Sequence, residues 1–181
     1  MNSYIERSVQ KELDRLSKEF PVIMITGPRQ VGKTTLLRHL QEEKKINYIS
    51  LDDLKIRKMA IEDPELLLDT YEEPLIIDEF QYAPNLLSYI KLRVDEDRYA
   101  SLKENTNPNG KYYLTGSQVF KTFNFITESL AGRVGMLHLY GLSDRELNQT
   151  PTTSQVFIPE IEKLNQKEKL LKKKFLKKKI Y

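Results

Sequence analysis

The chain has no cysteine in its 181 residues and only two histidines, His39 and His138. Disulfides and thiolate metal sites are therefore excluded, and a histidine-rich metal centre is not expected. No apolar run approaches the roughly 18 residues of a membrane-spanning helix. The opening stretch, MNSYIERSVQKEL, mixes both charges and lacks the continuous apolar segment of a secretory signal. A reducing cytoplasm is the default expectation, and no membrane partner is expected. What is present is a charge-rich composition, 30% charged and 39% hydrophobic. The length suits one domain with a proper core. The net charge of +3 is unevenly spread: from Glu160 to Tyr181 nine lysines face three glutamates, so the rest of the chain is net negative.

Apolar residues at three- and four-residue spacing predict a helix from Tyr4 to Phe20, stopped by Pro21. Val22 to Thr26 is a short, wholly apolar run of the kind buried on both faces of a parallel sheet. A helix is expected from Lys33 to about Glu43. A strand is expected over Ile46–Leu51, then a helix from Leu54 to about Ile61 and a short one at Asp63–Asp69 opened by Pro64. A third strand is read at Leu75–Ile77 and a helix from Pro84 to about Asp95. A fourth strand covers Lys111–Thr115, a helix Phe120 to about Leu130, and a fifth strand Met136–Tyr140. Strands alternating with helices predict an α/β fold, a mostly parallel central sheet of about five strands flanked by helices. The expected division is a domain over residues 1–150 and a linker with a lysine-rich tail over 151–181.

The run Gly27-Pro28-Arg29-Gln30-Val31-Gly32-Lys33-Thr34 fits the P-loop pattern G-x-x-x-x-G-K-[ST] without a mismatch. A loop that wraps an anion with its own backbone N–H groups needs glycine where side chains would obstruct it. The helix that follows offers unpaired N–H donors and the positive end of its dipole to phosphate. Lys33 is placed to reach the β- and γ-phosphates and Thr34 to put its hydroxyl on Mg²⁺; with Thr35, residues 27 to 35 are the candidate nucleotide-binding set. Arg29 and Gln30 face either phosphate, a partner surface or solvent.

An apolar strand then ends in two acids, "PLIIDEFQ", 45 residues beyond Lys33. Asp78 is the candidate for holding Mg²⁺ through its water shell, and Glu79 for orienting and polarising the attacking water. Ligands of open α/β sheets sit beyond the carboxyl ends of the strands, where both acids would lie. "YYLTGSQ" repeats the pattern with small polar residues, so Thr115 or Ser117 is a candidate to report on the γ-phosphate. Arg133, in "SLAGRVGMLHL", is a candidate finger that stabilises transition-state charge on its own or a neighbouring subunit's nucleotide. Asp52 and Asp53 end the second strand. They either support the Mg²⁺ shell or Arg29, or cap the next helix.

Taken together, "YIERSVQKELDRL…FPVIMITGPRQVGKTTLL", "LDDL", "PLIIDEFQYAPNLLSYIK", "YYLTGSQ" and "ESLAGRVGMLHLYGLSDREL" resemble the N-terminal ATPase domain of a prokaryotic AAA-type family, most of whose members are described only as ATP-binding proteins. The resemblance runs from about Tyr4 to Leu147. It implies an AAA-like P-loop NTPase domain that takes ATP and Mg²⁺, with residues 27 to 34, Asp78, Glu79, the Thr115–Gln118 strand end and Arg133 at the matching positions. Full-length members continue into a second domain often compared with restriction-nuclease folds. The final stretch, "EKLNQKEKLLKKKFLKKKIY", does not resemble it, and the expectation is a truncated, frameshifted or deliberately made fragment.

Within that tail Ile161, Leu164, Leu171 and Phe175 would share one face of a helix otherwise covered by lysine. Such a helix suits nucleic-acid phosphates, an anionic membrane or a partner protein, or is simply a solvated tail. Three functions thus stand side by side: an ATPase, a nucleotide-dependent switch with little hydrolysis, and a nucleic-acid-associated protein. A small-molecule kinase fits the strand-end residues less well. No guanine-specific Asn-Lys-x-Asp motif is found, so ATP is expected over GTP. A homo-oligomer is one expected assembly, and it decides whether Arg133 acts in cis or in trans.

Overall fold

The computed structural model describes residues 4–116 and 129–149. Its elements in chain order are α1 (Gln10–Glu19), β1 (Val22–Thr26), α2 (Lys33–Lys44), β2 (Asn47–Ser50), α3 (Leu54–Glu62), α4 (Pro64–Thr70), β3 (Leu75–Asp78), a 3₁₀ turn (Phe80–Tyr82), α5 (Leu86–Glu104), β4 (Tyr112–Gly116), β5 (Val134–His138) and α6 (Asp144–Leu147). The five strands form one sheet in the order β2-β3-β4-β1-β5. Every pairing is parallel. The sheet is therefore α/β and parallel, as the alternation of strand and helix patterns predicts.

Two apolar layers cover the sheet, and strand alternation divides the residues between them. Val22, Met24, Leu75, Ile77, Tyr112 and Leu114 join α3, α4 and α5 on one face. Ile23, Ile25, Ile76 and Tyr113 join Leu13 and Leu16 of α1 and Leu36, Leu37 and Leu40 of α2 on the other. β1, β3 and β4 are buried along their whole length. That is why their sequences read as continuous apolar runs rather than alternating ones. Asp53 accepts from the amides of Lys55 and Ile56 and so caps α3. Asp63 caps α4, with Pro64 in its first turn.

Several boundaries differ from the sequence reading: β2 is shorter by one residue at each end, α5 opens at Leu86 rather than Pro84, and the larger shifts are at α1, the end of α5 and β5. α1 begins at Gln10 rather than Tyr4, because the preceding segment is drawn elsewhere: Tyr4 stacks on His39 at 3.8 Å, and the Ser8 amide donates to Glu146 at 2.7 Å. α5 continues to Glu104, past its last buried residue, Val94, and ends with Asn105 in the left-handed conformation at φ 54°. β5 spans Val134–His138, two residues earlier at both ends than expected. Gly135 lies inside it where Leu16 of α1 and Phe20 just beyond that helix pack closely: a Cβ there would lie 2.8 Å from the Phe20 ring and 3.1 Å from the Leu16 side chain. The helix expected at 120–130 lies almost wholly outside the described residues, as does the lysine tail. Among the described residues no helix is long and apolar enough to cross a membrane.

Candidate functional site

Insertion of β4 between β1 and β3 brings three strand ends side by side at the carboxyl edge. β1 runs into the Gly27–Gly32 loop, β3 ends at Asp78 and β4 carries Thr115. The loop is held by its own geometry. Gly27 has φ 146°, and a Cβ there would lie 2.2 Å from the Leu139 carbonyl oxygen, a backbone atom held by its own amide's 2.8 Å bond to Thr26. Gly27→Ala is therefore expected to destabilise the domain by about 1–3 kcal/mol, the usual range for overpacking. A urea unfolding curve superimposing on that of wild type would show that the loop yields instead.

Gly32, at φ 93°, opens α2, and no side chain caps it. The first amides of that helix are thus left for a ligand or water. Lys33 is buried, and its ammonium donates to the carbonyls of Gly27 at 3.0 Å and Pro28 at 2.8 Å. Burial lowers its pKa; Glu79 and then Asp78 oppose that shift, and Arg29 adds to it.

Asp78, buried at 3% exposure, is the centre of the cluster. One carboxylate oxygen accepts from the Thr34 hydroxyl at 2.9 Å and the Tyr48 phenol at 2.6 Å. The other accepts from the Thr115 hydroxyl and, at 3.2 Å, from the Glu79 amide. That amide also lies 3.1 Å from the Thr115 hydroxyl oxygen. Glu79 itself adopts the left-handed conformation, φ 56° and ψ 41°. For a residue with a side chain this costs roughly 1 kcal/mol or more and is a recurring mark of functional sites. Its carboxylate accepts from the Gln81 amide nitrogen. Burial, and next the bond to Asp78, pushes the Tyr48 phenol above its ordinary pKa.

A cleft of about 430 Å³ runs between Arg29, Gln30, Gly32, Lys33, Thr34 and Thr35 on one side and Asp52, Glu79 and Tyr82 on the other. A second, of about 570 Å³, also borders the loop, at Gln30, Val31 and Gly32. Its walls include Tyr4, Arg7, Val31, Leu36, His39 and Leu142. The structure thus gathers the loop residues, Asp78, Glu79 and Thr115, with the Thr115 hydroxyl committed to Asp78 and Glu79. Of the two strand-end acids, Asp53 is the helix cap, while Asp52 lines the cleft and pairs with Arg57 at 3.7 Å. Ser117 lies outside the described residues.

Arg133 is not brought to this site. It precedes β5, whose Val134 aligns with Val22 at the start of β1. It therefore sits at the amino edge, a five-residue strand or about 16 Å from the loop. Its guanidinium is bound to Asp95 at 2.6 and 3.0 Å. That contact holds the Asp95 carboxyl below its usual range. A cis finger does not follow from this placement, and only the trans alternative remains as a reading. A signal was available: in an all-parallel sheet, residues before a strand face the amino edge, whereas the loop, Asp78 and Thr115 are at strand carboxyl ends.

Sequence reasoning also missed a buried hub. The Arg7 guanidinium donates to the Val31 carbonyl of the loop at 3.0 Å and to the Tyr140 carbonyl at 2.7 Å, and meets the Glu146 carboxylate at 3.3 Å. Glu146 is also the reciprocal partner of Ser143 in a capping box. The Ser-x-x-Glu spacing was readable for that purpose; nothing local marks Arg7.

A family model for an AAA domain matches residues 19–148. Uncharacterised proteins of Mycobacterium tuberculosis and Mycobacterium bovis are each 29% identical over 145 residues, 80% of this chain. The chain spans only 30% of the length of either relative. Among solved structures, the Aeropyrum pernix ORC2 protein aligns at 20% identity and a TM-score of 0.46, over 82% of this chain and 52% of that one. The Thermotoga maritima RuvB Holliday junction branch migration motor aligns at 22% identity and a TM-score of 0.44, over 78% and 47%. With its phosphate-loop pattern seated at the carboxyl edge of a parallel sheet and most of its length matched, the chain belongs to the AAA domain family, a family of nucleotide-binding ATPase domains.

Proposed function

We propose that this domain binds ATP with Mg²⁺ and hydrolyses it to ADP and phosphate. The observation that carries the reading is the 2.9 Å hydrogen bond from Thr34, the last position of the loop pattern, to Asp78, the acid that ends β3. Two segments far apart in sequence thereby meet as a hydroxyl and a carboxylate, hard oxygen donors of the kind Mg²⁺ takes while keeping waters and substrate phosphates as its other ligands. Thr34 and Asp78 would hold the ion, which when bound supplies positive charge against the phosphate oxygens.

The remaining roles belong to the chain. The amides of the loop and of the first turn of α2 bind phosphate oxygens. Lys33, now satisfied by two loop carbonyls, would exchange them for phosphate, and its buried ammonium would neutralise charge where water is scarce. Glu79 would orient the water and accept its proton. The 570 Å³ cleft beside the loop, with the Tyr4 and His39 rings in its wall, suits the flat base of the nucleotide. Residues 1–150 would form this ATPase domain, and 151–181 a separate linker and tail.

Lys33→Ala tests the binding half. Loss of a charge-assisted contact is expected to weaken affinity for a fluorescent ATP analogue roughly ten- to a hundredfold. Equal affinity of mutant and wild type would remove the loop from the proposal. A nucleotide-dependent switch with little turnover is the second reading. It is favoured by the Glu79 carboxylate and the Lys33 ammonium both being engaged by their own chain. Phosphate release measured against protein concentration separates the two. Activity that rises with concentration points to an ATPase completed between subunits, the one setting in which Arg133 acts; none at any concentration leaves the switch.

A further inference from the structure

Asp78 owes its orientation to more than the phosphate loop. Tyr48, on β2, aligns with Ile76 of β3, two residues before Asp78, and so shares its face of the sheet. Its phenol reaches along that face to the carboxylate oxygen that Thr34 also uses, at 2.6 Å. The ring is fixed in turn: the Arg38 guanidinium lies 3.4 Å over its centroid. Arg38 follows Thr34 by four residues, on the same side of α2. A planar cation stacked on a phenol restrains the ring and polarises its hydroxyl as a donor.

We propose that Tyr48 is the positioning residue for the metal-holding carboxylate, with Arg38 fixing its ring. The inference rests on the nucleotide–Mg²⁺ reading above. When the Thr34 hydroxyl turns to a metal, its bond to Asp78 is weakened or lost. Tyr48 is then the donor that keeps this oxygen aimed, while Thr115 and the Glu79 amide keep the other. Partners of this kind set the direction of a ligand's lone pairs without touching the ion, and losing one typically costs about ten- to a hundredfold in metal affinity. No motif announces the role, since tyrosine in a strand ordinarily signals packing alone.

Tyr48→Phe keeps the ring and removes only the hydroxyl. The probe is a fluorescent ATP analogue titrated with Mg²⁺, and again in excess chelator. The mutant is expected to bind the analogue as wild type does without metal, and to need about tenfold more Mg²⁺ for half-maximal tightening. A residue that merely packs would shift both titrations, or neither. Arg38→Met, which leaves the phenol in place, should move the Mg²⁺ midpoint in the same direction by a smaller factor, and it carries the test if the phenylalanine variant does not fold. Midpoints within twofold of wild type in the folded variants overturn the assignment of Tyr48. A wild-type protein whose analogue binding ignores both Mg²⁺ and Lys33→Ala overturns the underlying nucleotide reading instead, so the two failures are distinguishable.

Discussion

Glu79→Gln is expected to leave ATP binding intact and to reduce phosphate release by about a hundred- to ten-thousandfold, the range contributed by a positioned general base. The substitution is selective because it disturbs so little. Glutamine has the same length, and its carbonyl can accept the Gln81 amide as the carboxylate does. The backbone at φ 56° is anchored by the 79 amide on Asp78 and Thr115, which the change does not touch. Only the capacity to take a proton is lost. Binding of the fluorescent analogue and phosphate release should be measured on the same preparations. Turnover persisting at the wild-type rate would show that another group activates the water.

The second large effect is on stability. Arg7 and Glu146 are both buried, at 7% and 8% exposure, and each is satisfied by several partners besides the other. Removing one member leaves the other's buried charge hydrogen-bonded but without its opposite charge, so Arg7→Ala or Glu146→Ala is expected to cost about 3 kcal/mol, the low end of the range for a broken buried pair. Because Arg7 also holds the Val31 carbonyl, its loss should weaken nucleotide binding as well. A pH dependence accompanies this. Burial pushes the Glu146 carboxyl up, but the Ser143 and Ser8 amides and hydroxyls together outweigh it and bring the pKa down to about 2 from an ordinary 4.5. A carboxyl lowered on folding stabilises the native state fully above the unfolded value, and the benefit drains away as pH falls from about 4.5 towards 2. A shift of that size corresponds to about 3 kcal/mol. Urea unfolding at pH 7, 4 and 3 should show wild type losing more stability than Glu146→Gln over that interval. Parallel losses in the two proteins would mean that Glu146 is not the titrating group.

The sequence was most informative where the controlling interactions are local. The phosphate loop is legible because its glycines and its lysine serve one continuous stretch of backbone. β1, β3 and β4 are legible because a strand covered on both faces is apolar at every position. Arg133 shows the limit of this kind of reading. Its glycine-flanked turn has the look of a catalytic loop, but which edge of the sheet it occupies depends on the direction of the following strand. Asp52 and Asp53, equivalent as a pair of strand-end acids, are told apart only by the start of α3, which claims the second as its cap.

By itself, then, the sequence determined a parallel α/β domain, the phosphate-loop pattern of residues 27 to 34, and the position of two acids at the carboxyl end of β3. Periodicity, capping and glycine spacing act within a turn or two of the chain. The tertiary structure alone decided which distant groups meet. Placing β4 between β1 and β3 joined Thr115 to Asp78, and pairing β2 with β3 brought Tyr48 to the same carboxylate. Docking of the N-terminal segment carried Arg7 to Glu146, 139 residues away. Such contacts follow from strand order and layer packing, which depend on the summed burial of the whole sheet rather than on any local pattern.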